Sequence, residues 1–238
     1  MKRRLVRDGL SREELTEARI AALARELSRD FGSPVLSFTE RERSRRAMLA
    51  RLPAGDPVWI FGYGSLMWNP GLDHEEARPA LLHGYHRSFC LWTPAGRGTP
   101  ECPGLMLGLR AGGRCRGMAM RIAPALVETE TQIVWRREMI VAAYIPRWVA
   151  VSTAAGTVPA ITFVVDTRHP RYAGRLPEEA LVASIAAAAG RLGRCRDYLN
   201  NLVWHLDQLG VADGPMHRLL DRVDARVAEA EGMTAGSG

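Results

Sequence analysis

The 238 residues include 47% hydrophobic and 24% charged side chains, the balance of an ordinary globular chain with enough apolar surface for a core, which excludes disorder throughout. The formal net charge is +6, but residues 1–56 hold 13 basic against 9 acidic side chains and the remainder 19 against 17, so the main body is nearly neutral and lacks the footprint of a nucleic-acid binder. No run approaches the roughly 18 apolar residues of a membrane span, and no apolar stretch of the signal-peptide kind follows the N-terminal arginines.

In chain order, Ser11 and Glu14 make a capping-box pattern, and Leu15, Ile20, Leu23 and Leu27 recur at helical spacing up to Asp30. Phe31-Gly32-Ser33-Pro34 breaks this helix, and a second is predicted over about 38–52. It carries the densest basic run, Arg41, Arg43, Arg45 and Arg46, read as a solvated face because Glu40 and Glu42 interrupt it and no aromatic platform accompanies it. Residues 1–56 thus form an N-terminal helical extension, closed by the turn Pro53-Ala54-Gly55-Asp56-Pro57.

The main domain is expected over 57–230. Val58-Trp59-Ile60-Phe61 is a buried strand that stops at glycine. Further strands are predicted around 82–92, 104–110, 114–122, 140–151 and 158–166. Pro124 opens a helix over 124–137, in which Leu126, Ile133, Val134 and Arg137 keep helical spacing. After Pro177 the pattern turns helical, at about 178–190, 194–210 and 215–230, and residues 231–238 read as a disordered tail.

Two local features could carry chemistry. Gly62-Tyr63-Gly64-Ser65-Leu66 follows the first strand directly; it is either a structural turn or a set of exposed backbone N–H groups suited to a carboxylate. It is neither a P-loop nor a dinucleotide fingerprint. Glu138 ends the central helix, where the macrodipole and partial burial both favour its protonated form; Arg136 and Arg137 would oppose that by pairing with it, and a surface salt bridge is the simpler alternative.

Read together with Gly84-Tyr85-His86-Arg87, the run from Arg97 to Gly104 and Tyr144, the two features resemble the ChaC family of γ-glutamylcyclotransferases in order and spacing over about residues 57–225. The resemblance implies a mixed α/β (α+β) fold around a small barrel-like sheet with surrounding and C-terminal helices. It implies Glu138 as catalytic acid–base, with Tyr63, Gly64, Ser65 and Leu66 as the substrate-binding loop and Tyr144 as a further substrate contact. The implied activity is the cleavage of glutathione to 5-oxoproline and cysteinylglycine, with no cofactor and no metal. One departure from the family pattern is Gly117-Met118-Ala119-Met120-Arg121, where a tyrosine is common at the position of Met120; methionine there either fills the core or costs a substrate contact.

The chemistry suits these residues. A γ-glutamyl compound holds its own nucleophile, an α-amino group that must lose a proton before attacking the γ-carbonyl, so one carboxylate acting as base and then acid suffices. Arg97, in a glycine-flanked loop, is either a solvent-exposed arginine or a partner for the glycine carboxylate of glutathione. Ser65 lacks a nucleophile elbow, and the six histidines lack metal-ligand spacing. Cys90, Cys102, Cys115 and Cys195 show no C-x-x-C pair and read as reduced thiols of a cytoplasmic protein. The expected partner is a small molecule rather than a nucleic acid or a membrane, with monomer or dimer left open. Alternative readings are cyclisation of other γ-glutamyl amino acids or amines, a non-catalytic ligand-binding or regulatory protein of cation transport, and, more remotely, a nucleic-acid adaptor using the arginine-rich extension.

Overall fold

A computed structural model describes residues 10–235. The described residues divide into two compact units, one formed by residues 10–88 with Leu107–Tyr172, the other by Phe89–Met106 with residues 173–235. No helix among the described residues is long and apolar enough to cross a membrane.

The first unit is built on a closed β-barrel. Its strands are β1 (Val58–Gly62), β2 (Glu76–Thr93), β3 (Gly104–Ile122), β4 (Tyr144–Thr153) and β5 (Gly156–Val165), ordered β1-β3-β2-β4-β5 and closed through β5. Strand β1 is buried at every position, as its unbroken apolar run requires of a strand covered on both faces. It pairs antiparallel with β3, Ile60 opposite Met120, and parallel with β5, Ile60 opposite Ile161. The two strands expected at 104–110 and 114–122 are one continuous strand: Gly112 and Gly113 take left-handed φ of 95° and 76°, a bend within the strand rather than an end. Strand β4 begins four residues later than expected, because Ile140 is a bend and residues 141–143 form a bridge and turn.

Helix α3 (Val127–Glu138) follows a single 3₁₀ turn at Pro124–Leu126 and lays Glu130, Thr131, Val134 and Trp135 against the barrel at spacings of three and four. Trp135 meets the ring of Phe163 edge-on at 5.1 Å, within an apolar cluster that includes Val58, Ile60, Leu66, Leu72, Met120, Val134 and Met139. Met120 is 2% exposed there, so methionine at this position fills the core.

The N-terminal segment belongs to the same unit. Helix α1 (Glu17–Phe31) starts later than the Ser11 pattern suggests: Ser11 and Glu14 close a turn, and the true N-cap is Thr16. Helix α2 (Phe38–Leu49) carries the full capping box, Ser37 with Glu40. Its arginines correct the solvated-face reading, since Arg41 is 3% exposed and Arg45 fully buried. Arg41 pairs with Glu17 and donates to the Leu36 carbonyl at 2.7 Å. Arg45 holds Glu42 at 2.7 Å and donates to Glu128 at 3.0 Å and to Thr131 Oγ1 at 3.1 Å, the last two on α3. Burial works against the Arg45 charge, but the carboxylates outweigh it and raise its pKa.

In the second unit, helices α4 (Glu178–Ala187), α5 (Cys195–Gln208) and α6 (Gly214–Ala235) pack on one another, with a short ribbon of β6 (Ala189–Gly190) and β7 (Gly193–Arg194) between α4 and α5. Helix α6 runs to Ala235, five residues beyond its expected end; the rest of the expected tail, 236–238, lies outside the described residues.

Removing one partner of a buried ion network leaves the other charges uncompensated. Arg45→Met should therefore cost about 3 kcal/mol in urea unfolding, whereas the exposed neighbour change Arg46→Met should stay within about 0.5 kcal/mol. Equal effects would contradict the burial of Arg45.

Candidate active site

The glycine turn leaves β1 at Gly62, where the chain folds back on itself so closely that a Cβ would stand 2.9 Å from Leu66 Cβ and 3.3 Å from Met120 Cε. Close approach, not a left-handed φ, is what demands glycine there. Tyr63 is 7% exposed and donates its hydroxyl to the Phe163 carbonyl at 2.9 Å; Leu66 is 5% exposed in the apolar cluster. These two side chains anchor the loop inward, whereas Ser65 is only partly buried. Ser65–Met67 form one 3₁₀ turn, closed by Met67 N–H on the Gly64 carbonyl at 2.8 Å. The first N–H groups of such a turn have no acceptor inside it, the property that suits them to an anion.

A second anchor is Arg87 of β2, 5% exposed, which donates to the Tyr63 carbonyl at 2.8 Å and to the Arg116 carbonyl on β3. This accounts physically for an arginine in the Gly84–Arg87 motif. Gly117 has a similar cause: a Cβ there would lie 2.2 Å from the Gly62 carbonyl oxygen.

Glu138 is the last residue of α3, three and four residues beyond the buried Trp135 and Val134, so its side chain continues the buried row. It is 17% exposed and meets Arg137 Nε at 3.2 Å. Burial pushes its carboxyl above the ordinary glutamate range, and the adjacent Arg137 charge and hydrogen bond oppose the rise. The surface salt bridge set against catalysis is thus present as a pair but not at the surface.

Arg137, assigned no role beyond possible pairing by the sequence reading, links the two features. Its Nη2 donates to Ser65 Oγ at 2.8 Å and its Nη1 to the Asn69 carbonyl, so one guanidinium, 11% exposed, spans the turn at 65–69 and the Glu138 carboxyl. The sequence signal was the Arg137-Glu138 doublet itself; Ser65, 72 residues away, could not be paired with it by pattern alone.

Tyr144 opens β4 and donates its hydroxyl to the Leu107 carbonyl of β3 at 2.7 Å. Tyr63, Gly64, Ser65, Leu66, Glu138 and Tyr144 all belong to the barrel unit. Arg97 belongs to the other unit, and it is not the solvent-exposed arginine of one reading: it is 3% exposed, donates to the Arg194 carbonyl at 3.1 Å and stacks on the Tyr198 ring at 5.1 Å. Among the described residues, no group of three or more His, Cys, Asp and Glu side chains is arranged to hold a metal ion.

The family model described as ChaC-like protein matches residues 58–226. The glutathione-specific γ-glutamylcyclotransferase of Escherichia coli (strain K12) is 44% identical over 194 residues, 81% of this chain and 84% of that protein. γ-Glutamylcyclotransferase 2-3 of Arabidopsis thaliana is 31% identical over 183 residues, 73% of this chain and 92% of that protein. A crystal structure of a γ-glutamylcyclotransferase specific to glutathione from yeast aligns with a TM-score of 0.65 at 19% identity, covering 71% of this chain and 96% of that one, which shows the shared fold.

A carboxyl whose folded pKa is raised takes up a proton on folding; its contribution to stability is full below the unfolded pKa and is lost as pH rises through the folded one. As pH rises from about 4, the ordinary glutamate range, through the raised folded pKa, the wild type should therefore lose stability relative to Glu138→Gln, by at most about 1.4 kcal/mol per pH unit. A difference independent of pH would show an unperturbed carboxyl.

Proposed function

The chain belongs to the ChaC-like protein family, and on that premise we propose that it is a glutathione-specific γ-glutamylcyclotransferase with Glu138 as its acid–base. The observation that carries the mechanism is the buried Glu138 carboxyl, tied through Arg137 to the turn that follows β1. The name and 44% identity of the Escherichia coli relative support glutathione as the substrate.

The backbone N–H groups of the 63–66 loop hold the α-carboxylate of the γ-glutamyl group, with Ser65 at the mouth. Glu138, ionised before turnover, takes a proton from the α-ammonium. Burial raises its pKa and so strengthens it as a base, while the Arg137 charge and hydrogen bond favour the ionised form. The freed amine attacks the γ-carbonyl carbon, a new C–N bond closes the five-membered ring, and the bond to the cysteine nitrogen breaks. Glu138 returns its proton to that departing amine, and the second proton of the ring nitrogen follows by the same carboxylate, so 5-oxoproline and cysteinylglycine with a protonated amino group leave without consumption of water and without a covalent intermediate. Nucleophile and electrophile sit in one molecule, and the protein accelerates the step chiefly by holding the substrate folded into near-attack contact.

Tyr144 belongs to this reading as a wall of the site, its hydroxyl fixed on Leu107. Arg97 enters it only weakly, because its described partners are the Arg194 carbonyl and the Tyr198 ring of its own unit. We assign the reaction to the cytoplasm, where a chain with four free cysteines stays reduced.

The test is release of 5-oxoproline and cysteinylglycine from glutathione by the purified protein in EDTA, beside γ-glutamylalanine and γ-glutamyllysine. Glutathione should be turned over well and the other two poorly; the reverse preference would keep the chemistry and change the substrate. Glu138→Gln should bind glutathione as the wild type does while kcat falls at least about 100-fold, and a fully active variant would overturn the mechanism.

A further inference from the structure

The proposed mechanism uses one carboxylate of glutathione and leaves the other, at the glycine end, without a receptor. The barrel topology shows where to look. Strands β1 and β5 run parallel with Ile60 opposite Ile161, so their C-terminal ends, Gly62 and Val165, open at the same end of the barrel. Strand β4 is antiparallel to β5 and begins there, Tyr144 opposite Val165. The segment that leaves β5, Asp166–Tyr172, therefore emerges beside the 63–66 loop and Tyr144.

That segment is tightly ordered. The Asp166 amide donates to the Ala143 carbonyl at 2.9 Å, the His169 amide to the Asp166 carbonyl at 3.1 Å, and the Tyr172 amide to the His169 carbonyl at 2.8 Å. The Asp166 carboxylate is occupied by the exposed Arg168, at 3.1 Å. His169 is 7% exposed, and its Nδ1 accepts the Arg171 amide at 3.1 Å. An accepting Nδ1 puts the proton of the neutral ring on Nε2, and this buried Nε2–H has no acceptor among the described residues. Burial, with the Arg171 charge next, holds the ring neutral against the pull of Asp166. Burial also works against the charge of the Arg171 guanidinium. A neutral donor without an acceptor and a desolvated cation, adjacent to one another at the active-site end of the barrel, form a setting that an incoming carboxylate completes.

We propose that His169 and Arg171 bind the glycine carboxylate of glutathione and select it over γ-glutamyl compounds that lack a carboxylate at that distance. The inference rests on the cyclotransferase reading above. Neither residue takes part in proton transfer; both position the far end of the substrate.

The experiment compares glutathione with its glycine ethyl ester as substrates of the wild type, Arg171→Met, Arg171→Lys, His169→Gln and Arg97→Met. Wild type should prefer glutathione to the ester at least about tenfold in kcat/KM. Arg171→Met should lose that preference through a higher KM for glutathione, with kcat for both substrates kept, whereas Arg171→Lys and His169→Gln, which retain a charge and a donor, should keep part of it. Arg97→Met should keep all of it. An equal loss on both substrates, a wild type indifferent to the ester, or a preference abolished by Arg97→Met and not by Arg171→Met would overturn the proposal. A wild type that turns over neither substrate would overturn the cyclotransferase reading, and this inference with it.

Discussion

A guanidinium with five donors in a fixed fork cannot be left nearly dry without acceptors around it. Arg137, 11% exposed, finds them in three places: the Ser65 hydroxyl, the Asn69 carbonyl and the Glu138 carboxylate. The turn after β1 and the end of α3 are thereby fixed to each other, although 72 residues of chain separate Ser65 from Arg137. Arg87 and the Tyr63 hydroxyl secure the near side of the turn, and the apolar cluster around Met120 and Leu66 supports it from below. The opposite flank of α3 is held by the N-terminal segment: Arg12 grips Glu130 with both terminal nitrogens, at 2.6 and 2.7 Å, and Arg45 spans Glu128 and Thr131. A short helix that ends in a buried acid would fray alone, because its C-terminal dipole disfavours Glu138.

The local signals were legible wherever neighbours in sequence decide the outcome. The apolar run before Gly62 declared β1, Pro124 marked the entry to α3, and Pro177 the change to helices. Legibility ended where partners lie far away along the chain. Arg41 and Arg45 read as a solvated stripe because charge beside charge is normally wet, yet Arg45 is buried by Glu128, 83 residues on. The Ser11–Glu14 pattern satisfied the local rule for a helix start and yielded only a turn, the helix instead taking Thr16 as its cap. The double glycine at 112–113 looked like a boundary and is a bend, since pairing along β3 continues through it.

The candidate site divides the same way. Glu138 and the 62–66 turn could be singled out because each has a local signature and the two recur together in a recognisable family pattern. Their physical connection could not, and neither could the division of labour within the loop, where Tyr63 and Leu66 serve as anchors facing the core. Neighbouring glycines mark the loop that holds Arg97, but its environment, the Tyr198 ring and the Arg194 carbonyl, comes from elements about 100 residues away.

Arg137 has two opposed effects on Glu138: it fixes the carboxyl geometrically and, by its charge, limits the rise in pKa that burial causes. The account depends on Glu138 being ionised for turnover, so the acid limb of the kcat/KM–pH profile reports its pKa in the free protein. The most direct measurement is that profile for the wild type and for Arg137→Gln. Loss of the neighbouring charge should move the acid limb to higher pH, because the ionised carboxylate loses its stabilising partner. An acid limb that stays where it was would contradict Glu138 as the base of this protein.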